Sequence, residues 1–212
     1  MLKFSVLFLT SRKAMIEVED FGIWNTNEPY EIWLNGEKYM ESDRATQTIK
    51  NLKPDTDYEI QIKSKNDSSE ITVIHTDYEF VTLDVKHFQA VGDGIHDDTA
   101  AIQAAIMACP PESRVLIPAG TYKITSLFLR NDLRLELAEG AVLSAETDRT
   151  KFPVLKGLID SYDEKEEYNL GTWEGNPLDC FSGIIMGINV SRVTIYGQGM
   201  IDGNPSFENW WK

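Results

Sequence analysis

The sequence predicts a mostly β protein. A small β-sandwich is expected over residues 1–83, followed over 84–212 by the first coils of a right-handed parallel β-helix with one short capping α-helix. Three observations carry this expectation. The first half is written in short runs whose apolar residues alternate with period two, as in half-buried strands. A single helical stretch, ending at Cys109, lies near the middle of the chain. After it, one pattern of strand, small-residue corner and strand recurs, which is how stacked coils are written.

Hydrophobic residues make up 42% of the 212 and charged residues 25%, the balance of an ordinary folded protein of one or two domains. The net charge of -14, from 34 acidic and 20 basic side chains, argues against nucleic acid as a partner, because phosphates call for a basic stripe. No run approaches the roughly 20 apolar residues of a membrane span. The apolar run Phe4 to Leu9 is too short for a secretory leader and no cleavage site follows, so a β-strand and a cytoplasmic location are expected, or secretion if the native amino terminus differs. Cys109 and Cys180 have neither metal-site nor disulfide-framework spacing and read as two reduced, buried thiols. Oligomeric state is not legible.

In the first half, Ala14 to Glu19 and Tyr58 to Lys63 alternate, and a further strand is expected through Ile71 to Ile74. Glu31–Leu34 and Glu37–Tyr39 flank Asn35-Gly36, a hairpin signal because both residues tolerate positive φ. Leu52-Lys53-Pro54-Asp55-Thr56-Asp57-Tyr58 resembles the tyrosine corner of fibronectin type III domains, in which a Tyr hydroxyl reaches back to backbone a few residues upstream.

The second half opens with Gly92-Asp93-Gly94-Ile95-His96-Asp97-Asp98-Thr99, a tight loop whose Asp97 or Asp98 can accept the unpaired amides of a helix start. Ile102, Ala105, Ile106 and Cys109 fall on one face, and Pro110-Pro111 ends the helix. Arg114–Tyr122, Leu135–Leu143 and Val193–Ile201 then share one shape. Aligning Leu135 with Val193 also aligns Leu137 with Ile195, Ala141 with Gly199 and Leu143 with Ile201. An antiparallel meander could share that pattern.

Between these units lies a long loop-like insertion, about 151–179, with Asp160, Asp163, Glu164, Glu166, Glu167 and then Gly171-Thr172-Trp173-Glu174-Gly175. Long loops in compact domains tend to be functional. Trp173 and Glu174 are the candidate substrate contacts: an indole face can stack on a pyranose and a carboxylate can hold its hydroxyls. A Trp that merely pins the loop is the competing reading. Elsewhere the blander readings prevail. Asp97-Asp98 is a helix cap, and Asp202 a turn residue. The Asp-rich loop lacks an EF-hand pattern, and Gly197-Gln198-Gly199 lacks the spacing and helix of a dinucleotide loop. His75, His87 and His96 are scattered, and Asn25-Thr26-Asn27 has no acid or base at its third position. No Lys and Arg cluster is visible along the chain.

Gly92-Asp93-Gly94, the run Asp97 to Ile106, Ile117-Pro118-Ala119-Gly120-Thr121-Tyr122, and Gly197 to Gly203 with Trp210-Trp211 together resemble the amino-terminal part of polygalacturonases of glycoside hydrolase family 28. The preceding fibronectin-type segment resembles the bacterial exo-acting members. The resemblance implies inverting hydrolysis of α-1,4 bonds in a pectic polysaccharide or oligogalacturonide, by an acid and carboxylate bases, with no cofactor or metal. The family's Asn-Thr-Asp, Asp-Asp, Gly-His-Gly and Arg-Ile-Lys motifs follow the Ile-Asp-Gly run, and none occurs after Gly203 here. No catalytic residue is therefore assigned, and these 212 residues are expected to be inactive alone. A non-catalytic carbohydrate-binding or structural β-helix, or a calcium-dependent lyase, is the alternative.

Overall fold

The computed structural model describes residues 2–19, 22–159, 168–169 and 171–209. It divides into two compact units, Met1–Glu79 and Phe80–Lys212, so the division falls just before the residue-83 boundary expected from sequence. The reason is that Thr82–Asp84 already pairs with Arg114–Leu116 of the second unit.

The first unit contains β1 (Phe4–Leu9), β2 (Ala14–Val18), β3 (Asn25–Leu34), β4 (Glu37–Arg44), β5 (Thr46–Ile49), β6 (Asp57–Lys63) and β7 (Thr72–His75). They form two antiparallel sheets, ordered β1-β2-β5 and β4-β3-β6-β7, the arrangement of a fibronectin type III-like sandwich. Period-two alternation points Ile16, Ile32, Ile60 and Ile62 inward, and all four are fully buried. Asn35 and Gly36 both take positive φ, 48° and 82°, as a type I′ hairpin turn demands. The Tyr58 hydroxyl accepts the Lys53 amide at 2.9 Å, which is the corner the sequence foreshadows.

The second unit is built of parallel coils. β8 (Thr82–Asp84) leads through a short 3-10 turn to β9 (Asp93–Asp97) and α1 (Thr99–Ala108). Next come β10 (Arg114–Ile117), β11 (Gly120–Ile124) and β12 (Leu127–Phe128), then β13 (Leu133–Leu137) and β14 (Ala141–Ala145). An excursion holds β15 (Val154–Leu155), β16 (Leu158–Ile159), β17 (Tyr168–Asn169), β18 (Thr172–Trp173), β19 (Asn176–Pro177) and β20 (Cys180–Phe181). The chain returns as β21 (Ile185–Met186), β22 (Val193–Gly197) and β23 (Met200–Asp202). Two parallel sheets run along the coils, β22-β13-β10-β8 and β23-β14-β11-β9, and β12 pairs with β21 on a third side. The meander alternative is thereby excluded for the coil strands. Their inward side chains, including Val115, Ile117, Tyr122, Leu135 and Leu143, form one core with Ile102, Ala105 and Ile106 of α1. α1 stops where Pro110 follows Cys109, whose backbone is already extended at ψ 116°.

The register differs from the sequence alignment in one place. Leu143 does pair with Ile201, but Leu133 rather than Leu135 pairs with Val193, and Leu135 pairs with Ile195. The last corner is two residues tighter, because Leu137 aligns with Gly197 while Val142 aligns with Met200. A slip of two leaves every side chain on its original face, so alternation cannot detect it. The tight corner explains the two glycines. A Cβ on Gly197, at φ 121°, would lie 1.9 Å from the Leu137 carbonyl oxygen, and one on Gly199 would lie 2.6 Å from the Leu137 Cβ. The Gln198 and Gly199 amides both donate to that carbonyl, at 3.0 and 3.2 Å.

Candidate functional site

The sequence motifs around Gly92–Thr99 resolve into a structural loop. Asp97 accepts the Thr99 amide at 2.9 Å, while Asp98 turns away from the helix and accepts the Val91 and Gly92 amides at 2.5 and 2.9 Å. Asp98 is the N-cap residue, its carbonyl accepting the Ile102 amide at 3.0 Å, but of the two side chains only that of Asp97 bonds the helix start; the Asp98 side chain, in a residue 1% exposed, instead pins the approach loop. Gly92 at φ 66° passes so close to the Tyr122 ring that a Cβ would meet it at 2.8 Å. Tyr122 is buried, donates to the Pro118 carbonyl at 3.0 Å, and has its phenol pushed up to about 12 by burial and then by Asp84 and Asp98. Asp93 is held down to about 2 by the His96 and Ile95 amides and by the His96 ring. Asp202 accepts the Asn204 amide at 2.8 Å, closing a turn.

What the sequence presents as one long loop is a ladder of short antiparallel pairs, β15 with β20, β16 with β17 and β18 with β19. It leaves the coil at Glu146, a residue the sequence reading overlooked. Glu146 Oε2 accepts Lys151 Nζ at 2.7 Å and lies 3.0 Å from Lys123 Nζ, while Oε1 accepts the Thr147 amide at 2.8 Å. Lys151 is the foremost reason its carboxyl falls to about 2, with Lys123 and the Asp148 and Thr147 amides adding to it. The two strands of the excursion's base are tied again where the Ser182 amide donates to the Pro153 carbonyl at 2.8 Å. Ser182 Oγ also lies 2.5 Å from the buried Ser126 Oγ of the coil body.

At the tip, Glu174 and Gly175 form the two-residue turn between β18 and β19, with φ of 50° and 83°. Trp173 stands just before the turn, opposite Asn176, and is 69% exposed. Little of the indole is packed against the rest of the chain. Glu174 shares the tip and is exposed. Val154, Leu178 and Phe181 are also exposed along the same excursion. An aromatic face beside a carboxylate at a stiff turn can stack on a sugar ring and accept from its hydroxyls, and it contains no proton-transfer pair. Below the hairpin the backbone is closely packed: a Cβ on Gly171 would lie 2.9 Å from Cys180 Sγ. Asp160, Asp163, Glu164, Glu166 and Glu167, and Trp210 and Trp211, lie outside the described residues.

The remaining candidates are dispersed. His75 bridges Asp57 and Asp55, at 2.8 and 3.1 Å, on the first unit. Cys109 is buried with its thiol pushed up by desolvation, and Cys180 is half-buried. Among the described residues no group of three His, Cys, Asp or Glu side chains converges to hold a metal. Arginines spread along the sequence, however, do converge: Arg114 and Arg134 stand in register on neighbouring coils, and Arg192 immediately precedes β22.

Comparison with known proteins gives this architecture a context. Residues 82–135 match the family model described as rhamnogalacturonase A/epimerase, pectate lyase-like. The chain is 30% identical over 163 residues to an exo-poly-alpha-D-galacturonosidase of Dickeya chrysanthemi, covering 74% of this chain and 26% of that protein. It is 30% identical over 131 residues to a probable polygalacturonase of Vitis vinifera, covering 59% of this chain and 24% of that one. It thus spans about a quarter of the length of these relatives. Among solved structures, the family 28 exopolygalacturonase of Yersinia enterocolitica superposes with a TM-score of 0.64 at 23% identity, covering 96% of this chain and 41% of that one. The chain is therefore similar to the exo-acting polygalacturonases of glycoside hydrolase family 28 in sequence, and it shares their fold in both of its units.

Proposed function

We propose that this chain forms part of an exo-acting polygalacturonase, in which it supplies a fibronectin type III-like unit and the opening coils of the β-helix. The hydrolysis would release galacturonate from the ends of α-1,4-linked pectic chains with inversion. One observation supports this reading most. The Dickeya chrysanthemi match runs over 163 residues, longer than either unit here, so it joins the sandwich and the coils in one alignment. The family-model match carries less, since residues 82–135 fit a description that includes hydrolase, epimerase and lyase.

Within this reading Trp173 and Glu174 contact the sugar, by stacking and by accepting its hydroxyls. The acids that break the bond are not assigned to any residue of this chain, because the family motifs do not follow Gly203. The decisive experiment extends the reading frame from which the chain comes and assays the product on polygalacturonate. Reducing ends with inverted anomeric configuration are expected from the extended protein and nothing above blank from the 212 residues. Ultraviolet-absorbing unsaturated ends would establish a lyase instead. In the extended protein, Trp173→Ala should raise KM about tenfold, the loss of one sugar-stacking contact worth roughly 1–1.5 kcal/mol.

A further inference from the structure

We propose that a groove on the second unit, between the corner after α1 and the outward face of the β13 and β22 coils, binds an acidic saccharide through its carboxylate. The inference rests on the pectic-substrate reading above for the identity of the sugar, while the groove itself stands on geometry.

Three of the chain's seven arginines, Arg114, Arg134 and Arg192, fall at the start of the β10, β13 and β22 coils. The sequence hides this, because one coil takes about 20 residues and the next carries the excursion. Stacking restores it, since parallel neighbours lie about 4.8 Å apart. Arg134 stands in register with Arg114 on one side and Thr194 on the other, and alternation turns all three away from the core that takes Leu133 and Leu135. Arg114 itself is buried, so Arg134 and Arg192 are the two guanidinium groups that the stacking brings to one groove.

A cavity of about 290 Å³ lies against this row, lined by Arg134, Arg192, Thr194, Ser113, Pro111 and Glu112, with Asp132 at its side. Its parts are held in place. Arg114 is committed to Glu136 and to Thr82. Arg192 is oriented by Asp132, which accepts from both its Nε and its Nη2, and its other N–H groups remain available to a second acceptor. The corner is fixed by the Phe80 amide, which donates to the Glu112 carbonyl at 2.8 Å, and by Ser113 Oγ, which donates to the Pro111 carbonyl at 3.2 Å.

The mixture of groups selects the ligand class. Guanidinium forks match a carboxylate in two-point geometry. Glu112 and Asp132 add negative charge that disfavours a compact inorganic anion, yet a carboxylate such as Glu112 accepts well from sugar hydroxyls. Thr194 can donate or accept, and the Pro111 ring offers an apolar wall for a pyranose face. A sugar carrying one carboxylate and several hydroxyls satisfies every one of these; a phosphate ion satisfies only the arginines.

The test titrates trigalacturonate into the 212-residue chain while following the arginine Nε–H signals by NMR, with a neutral galactose trisaccharide and inorganic phosphate as parallel titrations. Saturable shifts of the Arg134 and Arg192 signals with trigalacturonate, at least about tenfold weaker in Arg192→Gln and absent with the neutral sugar, are expected. Arg192 is exposed, so this variant should keep its fold, which unchanged thermal unfolding would verify. Equal binding of phosphate, or trigalacturonate shifts confined to other regions such as Trp173, would overturn the proposal. The latter result would leave the polygalacturonase reading intact, whereas an extended protein without hydrolytic activity would remove that reading and leave the groove's binding to be judged on its own titration.

Discussion

Several residues that look catalytic on paper are committed to backbone. Asp98 is the clearest case: its two oxygens satisfy the Val91 and Gly92 amides inside a nearly closed environment. Asp98→Ala should cost the second unit about 3 kcal/mol, since it leaves two amides without their charged acceptor; urea unfolding monitored for that unit measures it, and an unchanged midpoint would refute the assignment. Gly199 carries an equally specific demand. Gly199→Ala drives a methyl into the Leu137 side chain and the Ala141 carbonyl oxygen, the latter at 2.7 Å, and overpacking of this kind typically costs about 1–3 kcal/mol. Gly36, with nothing within 4 Å of its notional Cβ, is the control for crowding, because substitution there meets only the strain of its positive φ.

At the scale of the element, the excursion between β14 and β21 depends on how it is rooted. Glu146 gathers Lys151 from the first turn of the excursion and Lys123 from β11. Its carboxyl is lowered from 4.5 to about 2 in the folded chain, so it contributes stability that is fully present above pH 4.5 and is lost as acid titrates it toward pH 2. Glu146→Gln should flatten the wild-type loss of stability across that window and raise amide hydrogen exchange between residues 147 and 182 at neutral pH. An acid profile identical to wild type would contradict the anchoring role. His75 runs with the opposite sign. Its imidazole is raised by Asp57 and then Asp55, so its contribution is present below the ordinary histidine value and fades as pH rises through the folded one.

For the molecule as a whole, coils supply one another's cores. Val115, Leu135 and Leu143 are fully buried because coils lie on both sides, whereas Ile195 and Ile201, at the matching positions of the last described coil, are 39% and 46% exposed. Met200 is 57% exposed on the same strand pair. An apolar rung of this kind beside unpaired strand edges favours association. The 212-residue chain is expected to sediment as concentration-dependent oligomers, and Ile195→Thr with Ile201→Thr should shift it toward monomer. A wild-type monomer across the micromolar range would show that the edge is protected by other means.

The sequence by itself determined the two kinds of architecture, the Asn35-Gly36 turn, the Tyr58 corner, the helix face of Ile102, Ala105 and Ile106, and the strand pairs of the coils. These are local: alternation, turn chemistry and capping act over a few residues, and the chain spells them out directly. Only the tertiary structure decided the two-residue tightening at Gly197–Gly199, the diversion of Asp98 from helix to loop, the openness of Trp173, the Glu146 anchor and the convergence of Arg134 with Arg192. The corner, the Lys123 side of the Glu146 anchor and the arginine pair each depend on residues about 20 to 60 apart being brought a single rung spacing from one another. A coil that carries an excursion alters the sequence period without altering the spatial one, and that mismatch is what one-dimensional reading cannot recover.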